Sequence, residues 1–439
     1  MDITANAPHP PATAITADNA LAELSRHVLM DGLDLVLDLE RSRGSTLVDA
    51  RGGEEYLDLL TFYGSLPLGM NHPDMADDPA FLAELTRAAL HKVTNSDIYT
   101  VQYARFAAAF RRVLGDPRLP HLFFIDGGAL AVENALKVAF DWRAQRPGAD
   151  PAAPLEVLHM EGAFHGRSGY TLSLTNTSPT VTARYPAWDW PRVPLPVPGA
   201  EREAVDTARR HLTERAGRIA CFVAEPVQGA GGDRHLGREF LLRMQELCHD
   251  HDVLFVLDEV QTGCGLSGAP WTYQRLGLEP DVVAFGKKTQ VCGLMAGGRV
   301  DQVPQGALAV PDRLGSTWGG NTADMVRATR VLEIIERDGL MAAAETTGAH
   351  LGRLLADLAA AHPALVRDVR GLGLMWAFDL PDTATRDEVL NRLRRSHRVL
   401  LLPGGPRAVR FRPALTIGTG ELDRGVAALD TVLTSLDVR

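Results

Sequence analysis

Short apolar runs alternate with amphipathic helical patterns along the middle of this chain. Five of these runs have the length of buried strands: HLFFID (121–126), LEVLHM (155–160), IACFVAEPV (219–227), VLFVLDEV (253–260) and DVVAFGKK (281–288). Helical patterns follow two of the runs, over 129–145 and over 238–251. Because strands and helices that alternate at this spacing favour parallel crossovers, we predict an α/β chain with a mainly parallel sheet.

The last third of the chain has a different pattern. Two long helical stretches, over 323–339 and 343–362, are followed by shorter mixed elements. With a length of 439 residues, the chain is expected to contain two or three domains. We predict an amino-terminal segment (1–60) that joins the small domain, a large domain (61–322) and a small α+β domain (323–439). The first twenty residues are predicted to form a flexible arm, and the basic run RLRRSHR (392–398) a solvated helix face.

Composition excludes several classes of function. Lys and Arg number 45 against 55 Asp and Glu, and this formal charge of -10 argues against a nucleic-acid partner. No run approaches the ~18 apolar residues of a membrane span, and residues 1–25 lack the cations of a signal peptide. The four cysteines form no C-x-x-C pair, and HDHD (249–252) is interpreted as polar residues at a helix end. We therefore predict no metal site, no membrane contact and a cytoplasmic location.

Two apolar strands end in residues that could bind a cofactor. Asp258 follows an apolar run, and a buried carboxylate needs a partner such as the protonated ring nitrogen of pyridoxal 5'-phosphate (PLP). Alternatively, Asp258 caps the next helix. Lys287 ends the following strand, where desolvation would favour its use as a Schiff-base lysine. Lys288 is the competing choice, because alternation directs the two side chains to opposite faces, and an exposed lysine pair in a turn is the remaining alternative.

Two further segments could bind charged or aromatic groups. Gly127 and Gly128 stand between a strand and a helix, where the backbone can approach an anion. The dinucleotide fingerprint is excluded because Val132 occupies its third glycine position. In EGAFHGRSG, Phe164 could stack on an aromatic cofactor and Arg167 could bind a carboxylate. Alternatively, Phe164 belongs to the core and Arg167 to the surface.

The order of these motifs resembles that of the class III (ω-) aminotransferases, which are PLP-dependent enzymes of fold type I with a seven-stranded, mainly parallel sheet. The motifs that carry the resemblance are GGALAVENALK (127–137), FHGR (164–167), AEPVQGAGGD (224–233), LDEVQTG (257–263), AFGKKTQVCG (284–293), STWGGN (316–321) and VRFRPAL (409–415). The resemblance extends from about residue 56 to about residue 415. Within the class, the double lysine, the GGALAVENALK variant and STWGGN are similar to the lysine 6-aminotransferases.

The resemblance implies how PLP would be held. Lys287 would bind it covalently and move the proton, and Asp258 would pair with the ring nitrogen. Gln261 would bond the ring hydroxyl oxygen, while Phe164 and Val260 would enclose the ring.

The phosphate group would be held by two subunits. The backbone N–H groups of Gly128 and Ala129 would bind it, together with Thr317 of the other subunit. The resemblance therefore implies a homodimer with shared active sites.

Two arginines would bind the substrates, and two positions depart from the family pattern. Arg167 would hold the α-carboxylate of lysine, and Arg410 the side-chain carboxylate of 2-oxoglutarate or glutamate. Ala230 stands where related enzymes carry a glutamate that masks the second arginine, so Glu225 is considered as a replacement. Gly315 stands where asparagine is expected.

The implied reaction transfers the ε-amino group of L-lysine to 2-oxoglutarate, giving 2-aminoadipate 6-semialdehyde and L-glutamate. Because of Ala230, one alternative is an ω-aminotransferase for another diamino acid or terminal amine, including one that uses pyruvate as acceptor. A PLP-dependent aminomutase is a further alternative, since the same fold type supports that chemistry.

Overall fold

The computed structural model describes residues 14–149, 152, 154–196 and 199–437. The strands are β1 (Thr46–Val48), β2 (Glu55–Asp58), β3 (His121–Ile125), β4 (Glu156–Met160), β5 (Arg192–Val193), β6 (Ile219–Ala224), β7 (Val227–Gln228), β8 (Arg234–His235), β9 (Leu254–Asp258), β10 (Val282–Phe285), β11 (Cys292–Ala296), β12 (Arg367–Leu372), β13 (Met375–Asp379), β14 (Val399–Leu400), β15 (Leu402–Gly404) and β16 (Ala408–Phe411). Residues 1–13 of the predicted flexible arm lie outside the described residues, and residues 17–20 belong to the first helix.

The helices cover both the large sheet and the carboxy-terminal strands. They are α1 (Ala17–Ser25), α2 (Thr61–Gly64), α3 (Pro73–Ala76), α4 (Pro79–Ala89), α5 (Val101–Val113), α6 (Gly128–Ala144), α7 (Gly169–Leu174), α8 (Pro179–Thr182), α9 (Glu201–Glu214), α10 (Arg238–Asp250), α11 (Thr272–Leu276), α12 (Thr322–Arg337), α13 (Leu340–Ala361), α14 (Thr383–Arg392) and α15 (Thr419–Asp437). Short 3-10 turns span Lys287–Thr289 and Gly298–Gln302. Within the described ranges, no helix is both long enough and apolar enough to cross a bilayer.

The large sheet has seven strands in the order β3-β11-β10-β9-β6-β4-β5. β11 pairs antiparallel with β3 and β10, whereas the other neighbours are parallel. The predicted fold class is therefore confirmed, and the five apolar runs form β3, β4, β6, β9 and β10. Two strands of this sheet were not predicted: β5 is too short to give a pattern, and β11 overlaps the lysine motif.

Helices bury both faces of this sheet, which explains its continuous apolar runs. On one face, Val132 and Leu136 of α6 pack in a cluster that includes Ala284 of β10. On the other face, Phe285 belongs to a cluster with Phe110 of α5. Since polar groups are costly inside such a layer, the place left for chemistry is the edge where the parallel strands end.

The carboxy-terminal strands form a second sheet, in the order β12-β13-β16-β15. A third sheet joins the two ends of the chain, because β14 pairs in parallel with β2 and brings Val399 opposite Leu57. The run RLRRSHR, predicted as a solvated helix face, continues α14 as one π turn over Leu393–His397. Val389 and Leu393 are fully buried, while Arg395 and Arg398 are exposed. The domain boundaries proposed from the sequence remain a prediction.

Candidate active site

A cavity of about 560 Å³ lies at the carboxyl ends of β9 and β10. Its lining residues are Tyr63, Gly128, Ala129, Phe164, His165, Gly166, Arg167, Glu225, Ala230, Asp258, Val260, Gln261, Lys287, Cys292 and Arg410. Every site residue predicted from the sequence is among them except Thr317. The fold thus brings together residues that are separated by up to 347 positions, from Tyr63 to Arg410.

Asp258 is held at the inner end of the cavity by two hydrogen bonds. Its Oδ2 lies 2.7 Å from His165 Nδ1, and its Oδ1 accepts from the N–H of Val260 at 3.0 Å. Both partners of the histidine–aspartate pair are buried. Burial alone lowers the pKa of His165, but the hydrogen bond and charge of Asp258 raise that pKa above its ordinary value. Asp258 therefore does not cap the next helix, which begins at Thr272.

Lys287 enters the cavity from a strained turn after β10. Its φ of 53° is in the left-handed region that non-glycine residues rarely adopt. Burial lowers the pKa of Lys287, Asp258 and Glu225 act in the opposite direction, and Arg410 lowers the pKa further. A lysine that deprotonates readily and faces a cavity is suited to covalent chemistry with a carbonyl group.

Lys288 points away from the cavity and is buried. Its Nζ donates to Gln261 O at 2.7 Å and to Gly64 O at 3.1 Å, and burial lowers its pKa to about 7. The two lysines thus lie in different surroundings, with Lys287 in the cavity and Lys288 bonded to the backbone outside it. The alternative of an exposed lysine pair in a turn is wrong for Lys288. Its hydrogen bonds use the amine that a cofactor would need.

The bonds of Lys288 belong to a larger set that holds a left-handed turn at the cavity. All four residues of Thr61–Gly64 have positive φ, between 42° and 76°. Lys288 binds the end of this turn, Gln261 Nε2 donates to Tyr63 O at 3.2 Å, and Gln290 Nε2 donates to Ser65 O at 2.8 Å. Strain of this kind persists only where the surroundings fix it, and here it directs Tyr63 into the cavity.

Lys288→Met should reduce stability in a pH-dependent way. The unfolded chain keeps the lysine proton up to about pH 10, whereas the folded chain releases it near pH 7, so the wild-type free energy of unfolding should rise between these values. In Lys288→Met this rise should disappear, and the two unpaired carbonyls should cost about 1–3 kcal/mol. Denaturant titrations at several pH values measure both effects. Lys137→Met, at an exposed position of α6, is the control, and equal slopes in all three proteins would contradict the assignment.

The amino end of α6 forms a cradle for an anion. Gly127 precedes the helix with φ of 98°, no side chain caps the first N–H groups, and Gly128 and Ala129 line the cavity. A Cβ at Gly128 would lie 3.0 Å from Val260 Cγ1, so the cradle has room for backbone only. A phosphate at this helix end, a ring between Phe164 and Val260, and a ring nitrogen at a carboxylate would match PLP.

Two arginines line the same cavity in different surroundings. Arg167 is exposed, and its Cζ lies 5.9 Å from the centre of the Phe164 ring. Arg410 is buried, with Nε donating to Pro403 O at 2.9 Å and Nη1 lying 3.6 Å from Asp233 Oδ1. A cavity with two separate guanidinium groups can bind a carboxylate at either of two places.

Glu225, considered as a partner for Arg410, is bonded to the backbone. Its Oε1 accepts from Phe164 N at 3.0 Å and its Oε2 from Gly229 N at 3.1 Å. Burial raises the pKa of Glu225 to about 7. The ion pair that the structure gives for Arg410 is with Asp233 instead.

Thr317 does not line the cavity of its own chain. The segment around it is bound to residues 95–96: Ser96 Oγ donates to Ser316 O at 2.6 Å, and Asn95 N donates to Trp318 O at 3.0 Å. Both Thr317 and Gly315 are exposed. Sequence reasoning did not assign roles to Tyr63 or His165, although His165 lies within FHGR.

Comparison with known proteins identifies the family. The model of class III aminotransferases matches residues 30–433. The chain belongs to the class III aminotransferases. An L-lysine-epsilon aminotransferase of Amycolatopsis lactamdurans is 58% identical over 426 residues, which cover 94% of this chain and 95% of that protein.

Solved structures agree with this class III assignment. Lysine aminotransferase from Mycobacterium tuberculosis, in the internal aldimine form, matches with a TM-score of 0.94 and 56% identity over 96% of this chain and all of that one. Ornithine aminotransferase from Toxoplasma gondii matches with a TM-score of 0.82 at 22% identity, over 97% and 96% of the two chains, which supports the fold alone. As a member of this family, the chain acts on small-molecule substrates, namely amino acids and oxo acids.

Proposed function

We propose that this class III aminotransferase moves the ε-amino group of L-lysine to 2-oxoglutarate, using PLP. The products are 2-aminoadipate 6-semialdehyde and L-glutamate. The observation that carries the proposal is the pair of arginines in one cavity, Arg167 at an exposed position and Arg410 buried beside Lys287. The similarity to lysine aminotransferases over nearly the whole chain supports lysine as the amino donor.

The residues around the cavity fit PLP in four ways. The amino end of α6, at Gly128 and Ala129, receives the phosphate. Asp258 faces the ring nitrogen and, through its bond to His165, keeps a fixed orientation. Gln261 bonds the ring hydroxyl oxygen. Phe164 and Val260, which line the cavity with these groups, enclose the ring.

Lys287 carries the proton in this proposal. PLP, when bound, supplies an electron sink that acidifies the hydrogen on the amine-bearing carbon. Lys287 would hold the cofactor covalently, and its lowered pKa would help its free amine to accept and return a proton. Lys288 cannot replace it without breaking its bonds to Gln261 O and Gly64 O.

The position of Arg410 favours one assignment of the substrate carboxylates. Arg410 and Lys287 line the same cavity, and the charge of Arg410 lowers the pKa of Lys287. Arg410 is therefore near the carbon that reacts at Lys287. In glutamate that carbon bears the α-carboxylate, whereas in lysine the reacting carbon bears none. We therefore assign the α-carboxylate of glutamate or 2-oxoglutarate to Arg410, and move the side-chain carboxylate, predicted above for Arg410, to Arg167. Arg167 also receives the α-carboxylate of lysine.

A homodimer with shared active sites is part of the proposal. Thr317 is exposed and outside the cavity of its own chain, which is consistent with a role at the phosphate site of the other subunit. Large apolar side chains near it in sequence or space are also exposed: Leu90, Ile98, Tyr99 and Trp318. A cytoplasmic location and the three-part domain division remain predictions from the sequence.

A panel of amino donors and oxo acids tests the function. With wild-type enzyme we expect turnover of L-lysine with 2-oxoglutarate, with one glutamate formed per semialdehyde. Arg167→Met should raise the KM for lysine by about 10- to 100-fold, because a charge-assisted pair to the carboxylate is lost. Cadaverine has both amino groups of lysine but no carboxylate, so its KM should hardly change. Absence of lysine turnover with every oxo acid would overturn the proposal.

The same panel separates the alternatives. A preference for pyruvate, motivated by Ala230, would indicate a different ω-aminotransferase with the same cofactor chemistry. Formation of an isomeric amino acid without consumption of an oxo acid would indicate an aminomutase.

A further inference from the structure

A buried carboxylate lies directly behind Arg410. Asp233 is fully buried, and its Oδ1 lies 2.6 Å from Arg412 Nη2 and 3.6 Å from Arg410 Nη1. Its Oδ2 is also buried and accepts no hydrogen bond from the residues that the structure describes. One carboxylate therefore stands between two guanidinium groups, only one of which, that of Arg410, faces the cavity.

The arrangement is rigid on the side of Arg410. Its Nε donates to Pro403 O, and a Cβ at Gly404 would lie 2.6 Å from Arg410 Cδ. Arg412 is fully buried, and its Nη1 donates to the carbonyl of Phe411 at 2.7 Å. Each guanidinium therefore donates to a backbone carbonyl as well as lying beside Asp233.

Other charges near Arg410 and Asp233 are paired or weakened. Arg370 donates to the backbone carbonyl of Asp233 at 2.8 Å, but its own charge is paired with Asp379 at 2.7 Å. Burial lowers the pKa of His235 to about 4, so it is neutral near pH 7. Glu225, in the same cavity, also acts on the charge of Arg410, but its carboxylate is bonded to the backbone and burial raises its pKa to about 7. Within the cluster itself, the charges of Arg410 and Arg412 share the single charge of Asp233, and one positive charge remains.

We propose that Asp233 is a specificity-determining residue that partly neutralises Arg410, so that the cavity accepts both lysine, which brings no carboxylate to Arg410, and 2-oxo acids, which do. The proposal rests on the function proposed above. With the full charge of two arginines, the cavity would bind 2-oxo acids tightly and repel the ammonium group of lysine. With complete neutralisation, it would lose its affinity for the acceptor.

Asp233 affects the two half-reactions in opposite directions. Asp233→Asn should tighten 2-oxoglutarate binding about tenfold, because one buried counter-charge is removed. Calorimetry without an amino donor measures this on the enzyme loaded with pyridoxamine 5'-phosphate, the form that reacts with oxo acids, with glutarate as an unreactive dicarboxylate of the same length. The single-turnover rate with the substrate lysine should fall about tenfold. This rate is followed by the visible absorption band of PLP bound to Lys287. Asp357→Asn, an exposed change on α13 with the same net charge, should alter neither value.

A carboxylate placed on the cavity side of Arg410 provides a second test. Ala230 lines the cavity together with Arg410, so Ala230→Glu can return a carboxylate there. In the double variant Asp233→Asn/Ala230→Glu, the lysine rate should recover and 2-oxoglutarate binding should weaken again. In Ala230→Glu alone, 2-oxoglutarate should bind about tenfold more weakly than to wild type, a result that does not require Asp233→Asn to fold.

The outcomes distinguish this inference from the proposed function. If folded Asp233→Asn leaves 2-oxoglutarate affinity unchanged, or if both half-reactions shift in the same direction, Asp233 has no such role. If Ala230→Glu leaves that affinity unchanged, the charge of Arg410 does not control acceptor binding and the inference fails as well. The calorimetric measurement does not involve lysine. A wild-type enzyme that fails to react with lysine would therefore overturn the proposed function while the effect of Asp233 on 2-oxo acid binding is still measured.

Discussion

Lys287→Ala should abolish aminotransfer, lowering turnover by about 10³-fold or more, because it removes the covalent attachment of PLP and the group that moves the proton. Lys287 is the lysine that faces the cavity, beside Asp258, and its pKa is lowered. The visible absorption band of PLP bound to Lys287 should be lost in this variant. Absorption spectra and steady-state rates with lysine and 2-oxoglutarate measure the two effects.

Lys288→Ala is the matched comparison, since the two lysines are adjacent. It should keep the band of lysine-bound PLP, because Lys288 Nζ is bonded to Gln261 O and Gly64 O and does not enter the cavity. Its turnover should fall less, through relaxation of the turn that carries Tyr63. The opposite pattern, with the band retained in Lys287→Ala and lost in Lys288→Ala, would reverse the assignment of the two lysines.

The sheet and most of the cavity could be predicted because they depend on local patterns. Apolar runs with both faces buried gave β6, β9 and β10, and the ends of such strands are where ligands bind. Asp258 and Lys287 stand directly at two of these ends. Their distance in sequence was informative because the register of β9 and β10 places Asp258 opposite Ala284, three residues before Lys287.

Other parts of the site depend on contacts that no local pattern shows. The turn at Thr61–Gly64 is set by side chains some 200 positions away, namely Gln261, Lys288 and Gln290. Likewise, Asp233 meets Arg410 because the turn between β7 and β8 packs against β16, which is distant in sequence. The sequence showed that Ala230 left Arg410 without an expected partner, but only the folded chain shows that Asp233 lies behind it.

Asp258→Asn should lower kcat for lysine and 2-oxoglutarate by about 10²–10³-fold while leaving PLP attached to Lys287. The amide has nearly the same shape and can still accept the bond from Val260 N, but it has no charge. The protonated ring nitrogen of the cofactor would lose the buried carboxylate that stabilises it, and the pKa of His165 would no longer be raised by that charge. Steady-state kinetics and the visible spectrum measure these two properties.

Asp281→Asn is the control for this variant, because it separates lost stability from lost chemistry. Asp281 is also a buried aspartate of the same sheet, but it precedes β10, pairs with Arg299 at 2.6 Å and lies outside the cavity. Asp281→Asn breaks the buried pair with Arg299, so this variant should unfold at a lower denaturant concentration than wild type. While folded, it should keep the wild-type kcat. If Asp258→Asn keeps kcat within about threefold of wild type, or if Asp281→Asn loses as much, the carboxylate at the end of β9 does not act on the cofactor.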